Sequence, residues 1–195
     1  EQLFTQLKSI DWVEDEVNLD RDRLQFETCP KHIRDIMIKN LAFQAELDSI
    51  ASRSAGVLIA PFVSNSEFFR LDMGIAVNEI LHASSYTHII KMCLKDTNEF
   101  FDEVYKNEQI LGRAEKVSEV FNEIQELGAY YTLHGFGSYR EDLFEETLIK
   151  YWVAMYALER IQFMSSFAAT FALAEQDWFL GVASLVQKIL KDELS

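Results

Sequence analysis

The amino-acid sequence predicts an all-α helical bundle. Its 195 residues include only 7 Gly and 2 Pro, which is too few for the many tight turns of an all-β domain. Apolar residues make up 49% of the chain and recur at helical spacing through long unbroken segments. A chain of this length and apolar content can bury a well-developed core, so we predict one domain over residues 1–195.

The net charge and the number of cysteines indicate which binding partners and which cellular compartment to expect for the protein. The formal net charge is −14, which makes the protein a poor general ligand for nucleic acid or anionic membranes. Cys29 and Cys93 are isolated rather than arranged as a disulfide framework, so we expect a reducing compartment, the cytoplasm. Residues 1–20 lack the apolar core of a signal peptide, and no run reaches the roughly 18 apolar residues of a membrane span.

The predicted elements begin with a polar N-terminal arm over residues 1–28 that contains a short helix. Pro30 suits the first turn of the helix that follows, and Asn65 or Ser66 suits the N-cap of the next one. The glycine-rich stretch 135–138 is the clearest loop. Hydrophobic periodicity predicts helices over about residues 31–55, 66–94, 100–104, 108–131, 141–174 and 175–195. The helix over 141–174 is apolar on nearly all sides, which predicts a central place in the bundle.

The most informative motif is a Glu-x-x-His pair, Glu79 and His82, followed by Tyr86. Three residues of helix turn the side-chain direction by roughly 300°, so Glu79 and His82 share a face one turn apart. Tyr86 lies one further turn along that face. A carboxylate and an imidazole on one stripe can hold a metal ion, and a phenol beside that ion is a candidate for one-electron oxidation.

Carboxylates at otherwise apolar or motif positions of three other predicted helices complete a candidate metal site. They are Asp48, Glu159 and Glu193. Oxygen and imidazole ligands suit a pair of iron or manganese ions. Helical bundles that hold such a pair use one Glu from each of two helices and a Glu-x-x-His from each of two others. The second such pair would begin at Glu193 and place its histidine just after Ser195, beyond this sequence.

With these residues in place, the chain resembles the radical-bearing β subunit of class I ribonucleotide reductase. Asp-Ser-Ile at residues 48–50 and Ser-Tyr-Thr-His-Ile-Ile at 85–90 are highly specific together. The full set of matching segments is residues 41–44, 47–50, 79–90, 107–110, 113–115, 157–163, 166–168, 171–175 and 192–193. The family continues well past residue 195, so the resemblance also predicts that the domain is incomplete at its C-terminal end.

The resemblance implies a ferritin-like bundle with a carboxylate-bridged pair of metal ions, two Fe or two Mn, in its core. Asp48, Glu79 and His82 would bind mainly the first ion. Glu159 and Glu193 would bind the second. The sequence does not separate di-iron from di-manganese.

The resemblance also implies a radical site and a route out of it. Tyr86 would carry a stable radical. Its apolar pocket would be formed by Phe163, Phe167 and Ile189. A hydrogen-bonded chain would relay the radical outward through Trp12, Asp192 and His82.

The implied function is that of the β subunit of ribonucleoside-diphosphate reductase. Such a homodimeric subunit passes its radical to a separate catalytic α subunit, which reduces ribonucleotides to deoxyribonucleotides. Two alternatives use the same bundle. One is a ligand-binding oxidase that needs neither Trp12 nor an α partner, and the other is a metal-storage or purely structural protein.

Overall fold

The structure, a computed structural model, describes residues 2–9, 11–135 and 141–194. Within these ranges the chain is helical and contains no strand, which confirms the all-α prediction. The helices are α1 (Gln2–Lys8), α2 (Asp20–Thr28), α3 (Lys31–Ser54), α4 (Ser66–Cys93), α5 (Asn98–Lys106), α6 (Glu108–His134), α7 (Glu141–Ala157), α8 (Phe163–Ala174) and α9 (Leu180–Glu193). Short 3-10 turns lie at Glu14–Glu16 and Ala60–Phe62, and a π-helical turn, Leu158–Gln162, joins α7 to α8.

Helix α3 lies at the centre of the bundle. It packs against α4, α5, α6 and α8, while α9 packs against α8 and α4. The apolar positions of α3 that recur at helical spacing, such as Leu41 and Leu47, are fully buried. Burial of apolar surface between these helices is the main stabilising contribution, because an isolated helix in water is only marginally stable. The packing brings the inward faces of α3, α4 and α9 together.

Side-chain caps explain where two of the long helices begin. The side-chain oxygen of Asn65 accepts hydrogen bonds from the backbone N–H groups of Glu67 and Phe68, both at 2.9 Å. Asn107 caps α6 in the same way. Each cap satisfies backbone donors that the first helical turn leaves unpaired. The predicted start of α4 at Asn65 or Ser66 is therefore confirmed.

Residues 1–28 contain more regular structure than the predicted arm with one short helix. They include α1, α2 and the 3-10 turn, and α2 packs on α4 and α9. Asp22 is buried and accepts hydrogen bonds from the backbone N–H groups of Gly181 (3.1 Å) and Val182 (2.9 Å). This contact caps the first turn of α9 from a residue far away in sequence. The segment is thereby tied to the last described helix.

Two predicted helix boundaries in the C-terminal third were wrong. The single helix predicted over residues 141–174 is divided by the π-helical turn. The last helix begins at Leu180 rather than within 175–178, because Asp177 (φ 66°) and Phe179 (φ 56°) adopt left-handed backbone conformations that end the preceding helix. Of the predicted loop 135–138, only Gly135 lies within the described residues. No helix in the described ranges has the length and apolarity needed to cross a bilayer.

Candidate metal centre

Four elements of the bundle bring acidic side chains and one imidazole together in its interior. Asp48 comes from α3, Glu79 and His82 from α4, Glu159 from the π-helical turn and Glu193 from the last turn of α9. Asp48, Glu79 and His82 are buried, and the other two are half-buried. The Glu-x-x-His spacing puts both α4 residues on the inward face, as the sequence predicts.

The geometry divides these residues into two overlapping groups. Ligand atoms of Asp48, Glu79 and His82 lie within 4.8 Å of one another, and so do those of Glu79, Glu159 and Glu193. Glu79 belongs to both groups. A carboxylate has two oxygens, so a residue shared in this way can bridge two ions. The arrangement therefore has the form of two adjacent cation sites joined by Glu79.

The hydrogen-bonding state of these side chains tests whether they fit such a pair of ions. Among the described residues, no hydrogen-bond partner exists for Oδ1 of Asp48, Oε2 of Glu79, Nδ1 of His82 or either carboxylate oxygen of Glu159, and all five atoms are buried. Buried polar atoms without a partner cost free energy, and native proteins rarely leave them so. Divalent cations would satisfy all of them. The residues present fit a dinuclear metal site.

The protonation of the metal-free cluster also supports a metal site. Burial, together with the charge of Glu193, raises the pKa of Asp48 to about 7, although His82 acts in the opposite direction. Burial and the neighbouring carboxylates also raise the pKa values of Glu79 and Glu159 well above the ordinary range. Without cations, the cluster therefore holds protons to relieve its mutual repulsion. Metal binding would displace them.

His82 is held between the acidic cluster and the N-terminal segment. Nε2 of His82 lies 3.1 Å from Oδ2 of Asp192, and the same oxygen accepts a 2.7 Å hydrogen bond from Nε1 of Trp12. The Trp12 and His82 rings stack with centroids 6.4 Å apart. Asp192 thus orients the imidazole so that its other nitrogen, Nδ1, faces the cluster. There Nδ1 lies 3.0 Å from Oε1 of Glu193 without the alignment of a hydrogen bond.

The charge state of His82 depends on the same contacts. Burial alone would lower the pKa of its imidazole. The adjacent carboxylates of Asp192 and Glu193, and the charges of Glu79 and Asp48, outweigh burial and raise this pKa well above its usual value. In the metal-free protein these carboxylates therefore favour the protonated imidazole. A metal ion at Nδ1 would take the place of one of its protons.

Tyr86 is fully buried beside the cluster. Its hydroxyl faces Asp48 without making an aligned hydrogen bond, and within the described part of the chain it has no other partner. Burial first, and then the nearby carboxylates, raise the pKa of the phenol well above its ordinary value. Phe163 and Phe167 stack with centroids 5.8 Å apart and belong, with Ile189, to the same continuous buried core as Tyr86. The residues predicted to form the pocket are thus buried in the same hydrophobic core as Tyr86.

Two features of the site were not anticipated from the sequence. The first is the π-helical turn at Glu159, since a single inserted residue barely alters an almost wholly apolar pattern; such turns occur frequently at functional sites. The second is a cavity of about 560 Å³ that reaches Glu79, Glu159 and Glu193. Its wall is mostly apolar and includes Leu7 of α1 and Trp152 of α7.

Comparison with known proteins identifies the family. The family model described as "Ribonucleotide reductase, small chain" matches residues 1–195. The chain belongs to the ribonucleotide reductase small-chain family. The resemblance found in the sequence motifs is therefore confirmed.

Relatives in the ribonucleotide reductase small-chain family cover nearly all of this chain. Ribonucleoside-diphosphate reductase 1 subunit beta of Escherichia coli is 35% identical over 99% of the chain, and ribonucleoside-diphosphate reductase subunit beta of Haemophilus influenzae is 33% identical over 99%. The chain spans 54% of the length of each of these relatives.

Solved structures confirm the fold of this small chain. A ribonucleotide reductase subunit from Clostridium botulinum superposes with a TM-score of 0.83 at 20% identity, covering 99% of this chain and 56% of that one. The dimanganese(II) protein NrdF of Streptococcus sanguinis gives a TM-score of 0.78 at 19% identity, covering 98% and 61%.

Proposed function

We propose that this chain provides the radical-generating part of a ribonucleoside-diphosphate reductase β subunit. The observation that carries the proposal is the continuous arrangement of Trp12, Asp192 and His82 against the acidic cluster, with Tyr86 buried beside that cluster. Relatives named as β subunits of this enzyme support the assignment. The whole enzyme would reduce ribonucleoside diphosphates to deoxyribonucleotides on a separate catalytic α subunit.

The residues of this chain would hold two metal ions, iron or manganese. Asp48, Glu79 and His82 would bind one ion, and Glu79 would share the other with Glu159 and Glu193. The remaining nitrogen ligand is expected directly after Ser195. When bound, the metal pair supplies the one-electron oxidising chemistry that converts Tyr86 to its phenoxyl radical. A similar solved structure is described as dimanganese(II), which makes manganese a direct candidate. Metal analysis of the purified protein decides between iron and manganese.

The protein around Tyr86 would protect the radical and connect it to the surface. Phe163, Phe167 and Ile189, each 1% exposed, would exclude water and reductants from the ring. Trp12 is 8% exposed and lies on the far side of His82 from the acidic cluster, where it can exchange an electron with a docked partner. Asp192 holds the Nε1 proton of Trp12 and keeps His82 in position.

The partners follow from this assignment. We expect a homodimer of β subunits that docks on the α subunit, in the cytoplasm. Binding of nucleic acid or of an anionic membrane is not expected, because the net charge is −14.

Electron paramagnetic resonance tests the proposed function. After loading with iron and oxygen, or with manganese and an oxidant, the full chain should show a tyrosyl signal that Tyr86→Phe abolishes. Tyr105→Phe, which changes a phenol that is 70% exposed, is the matched control and should leave the signal intact. Trp12→Phe should keep the signal and remove reductase activity in the presence of the α subunit. A tyrosyl signal that survives Tyr86→Phe would reject the assignment.

The apolar cavity favours one second candidate, a ligand-binding oxidase on the same bundle. A cavity of about 560 Å³ beside metal ligands could hold a small organic substrate. Oxidation of added organic substrates without an α subunit, insensitive to Trp12→Phe, would support that candidate. Activity that requires the α subunit and Trp12 would exclude it.

A further inference from the structure

A lysine and a glutamate that do not belong to the acidic cluster lie close to Trp12. The ammonium group of Lys188 lies 5.6 Å from the centroid of the Trp12 ring. The same ammonium donates a 2.6 Å hydrogen bond to Oε2 of Glu16. Lys188 precedes Asp192 by one helical turn, so both residues of α9 face the indole. Trp12 is therefore contacted by an anion at Nε1 and by a cation near its ring.

The two contacts have opposite effects on oxidation of the indole. A cation within about 6 Å of an aromatic centroid is attracted to the electron-rich neutral ring. Loss of one electron makes the ring a cation, so the attraction to Lys188 becomes a repulsion between like charges. The carboxylate of Asp192 instead stabilises the oxidised ring. Lys188 makes Trp12 harder to oxidise, and Asp192 makes it easier.

Glu16 determines how strongly Lys188 acts. Its Oε2 atom pairs with Lys188, and its Oε1 atom accepts a 3.3 Å hydrogen bond from the backbone N–H of Val13, the residue after Trp12. The hydrogen bond from Lys188 also keeps the pKa of Glu16 below its usual value, so the carboxylate remains charged at neutral pH. Glu16 both fixes the turn that follows Trp12 and offsets part of the lysine charge.

We propose that the Lys188–Glu16 ion pair sets the one-electron oxidation potential of Trp12, as a pair of positioning residues for radical transfer. This inference rests on the proposed relay function of Trp12. The step takes one electron from the indole to a one-electron oxidant, which is the tyrosine phenoxyl radical in the relay. The oxidant is reduced by that electron, and the Nε1 proton stays in its hydrogen bond with Asp192. Lys188 raises the oxidation potential of the indole and so keeps the oxidised form from accumulating. Glu16 offsets part of this effect, so that oxidation of the indole can still occur.

Direct oxidation of Trp12 tests the proposal without relying on reductase activity. Trp152→Phe and Trp178→Phe together leave Trp12 as the remaining tryptophan of this sequence. In that full-chain background, with redox-silent zinc(II) added, flash-generated ruthenium(III) complexes of graded potential would oxidise the indole. The absorbance of the indole radical gives the oxidation equilibrium for each variant.

The single substitutions should move this equilibrium in opposite directions. Lys188→Met should favour oxidation by roughly tenfold, the effect of removing a unit charge at this distance in a partly exposed site. Glu16→Gln should disfavour oxidation by a similar factor, because the lysine charge is then unopposed. The double substitution should return close to the parent value, and Lys188→Arg should preserve it.

A purely structural role predicts a different result. Loosened packing around Trp12 would shift both single variants in the same direction, and that result, or shifts below twofold, would overturn the proposal. Lys188→Gln offers a second neutral variant if the methionine variant unfolds. The matched control is Lys95→Met, because Lys95 lies past the end of α4, roughly 20 Å along the helix axis from His82, and should change nothing. If the potentials shift as expected while Trp12→Phe retains activity with the α subunit, only the relay function fails.

Discussion

Trp12 and Asp192 are joined by a 2.7 Å hydrogen bond across 180 residues of sequence. The same carboxylate oxygen contacts Nε2 of His82 at 3.1 Å. One oxygen atom therefore positions both the indole and the imidazole. The contact links the N-terminal segment, α4 and α9 at the edge of the candidate metal centre.

Asp192→Asn should separate radical transfer from radical formation. The amide removes the charge that orients His82 and holds the Trp12 proton, while the ligand atoms of the cluster remain. We expect the metal content and the tyrosyl signal to persist and the activity with the α subunit to fall about 10- to 100-fold. Asp177→Asn is the matched control, since Asp177 is exposed on the connection before α9. Unchanged activity in Asp192→Asn would contradict the role of this contact.

Metal stoichiometry should depend on which carboxylate is changed. Because Glu79 belongs to both ligand groups, Glu79→Gln should weaken both sites and leave less than one ion per chain. Asp48 belongs to one group only, so Asp48→Asn should leave about one ion. Elemental analysis of desalted protein after loading measures both values. Equal losses in the two variants would argue against Glu79 as the shared ligand.

The stability of the metal-free protein should fall as the pH rises toward neutrality. Burial and Glu193 raise the pKa of Asp48 to about 7, so the folded chain keeps a proton there that the unfolded chain releases near pH 4. Stability gained from that proton is present at low pH and is lost as the pH rises through about 7. The raised pKa values of Glu79, Glu159 and His82 act in the same direction.

Thermal unfolding in the presence of a chelator measures this effect. Between pH 5.5 and 8 the Tm should fall by roughly 5 °C, in line with a loss of 1–2 kcal/mol for a chain of this size. Asp48→Asn should reduce the slope, since it removes one titrating group from the cluster. Saturating metal should reverse the trend, because cations compete with protons for the same oxygens. A Tm that rises with pH in the parent protein, measured with the chelator present, would refute the expectation.

Asp22→Ala should destabilise the fold without altering the metal ligands. Asp22 accepts hydrogen bonds from the backbone N–H groups of Gly181 and Val182 at the start of α9. Loss of a cap of this kind costs about 1–2 kcal/mol in the free energy of unfolding. Urea denaturation would measure it, with Asp20→Ala on the same helix as an exposed control. Equal stability of the two variants would show that the cap contributes little.

The parts of the site that local spacing determines were predictable. Glu79, His82 and Tyr86 share one helical face whatever the tertiary structure, so their arrangement follows from residue numbers alone. The contact between Trp12 and Asp192 depends instead on how two distant segments pack, and only family resemblance pointed to it. The cap made by Asp22 was missed for the same reason. The π-helical turn at Glu159 was missed because one inserted residue leaves the surrounding apolar pattern almost unchanged.

The wide spacing of the ligands has a consequence for biosynthesis. The proposed ligands, at residues 48, 79, 82, 159 and 193, come from elements that span most of the chain. A ribosome that has released α3 and α4 has delivered Asp48, Glu79 and His82, but not the carboxylates of the second group. The bridged pair of cation sites can form only after α9 has emerged and packed. Loading of the proposed metal pair would therefore be a late event, which follows synthesis of nearly the entire sequence and would not guide the folding of its first half.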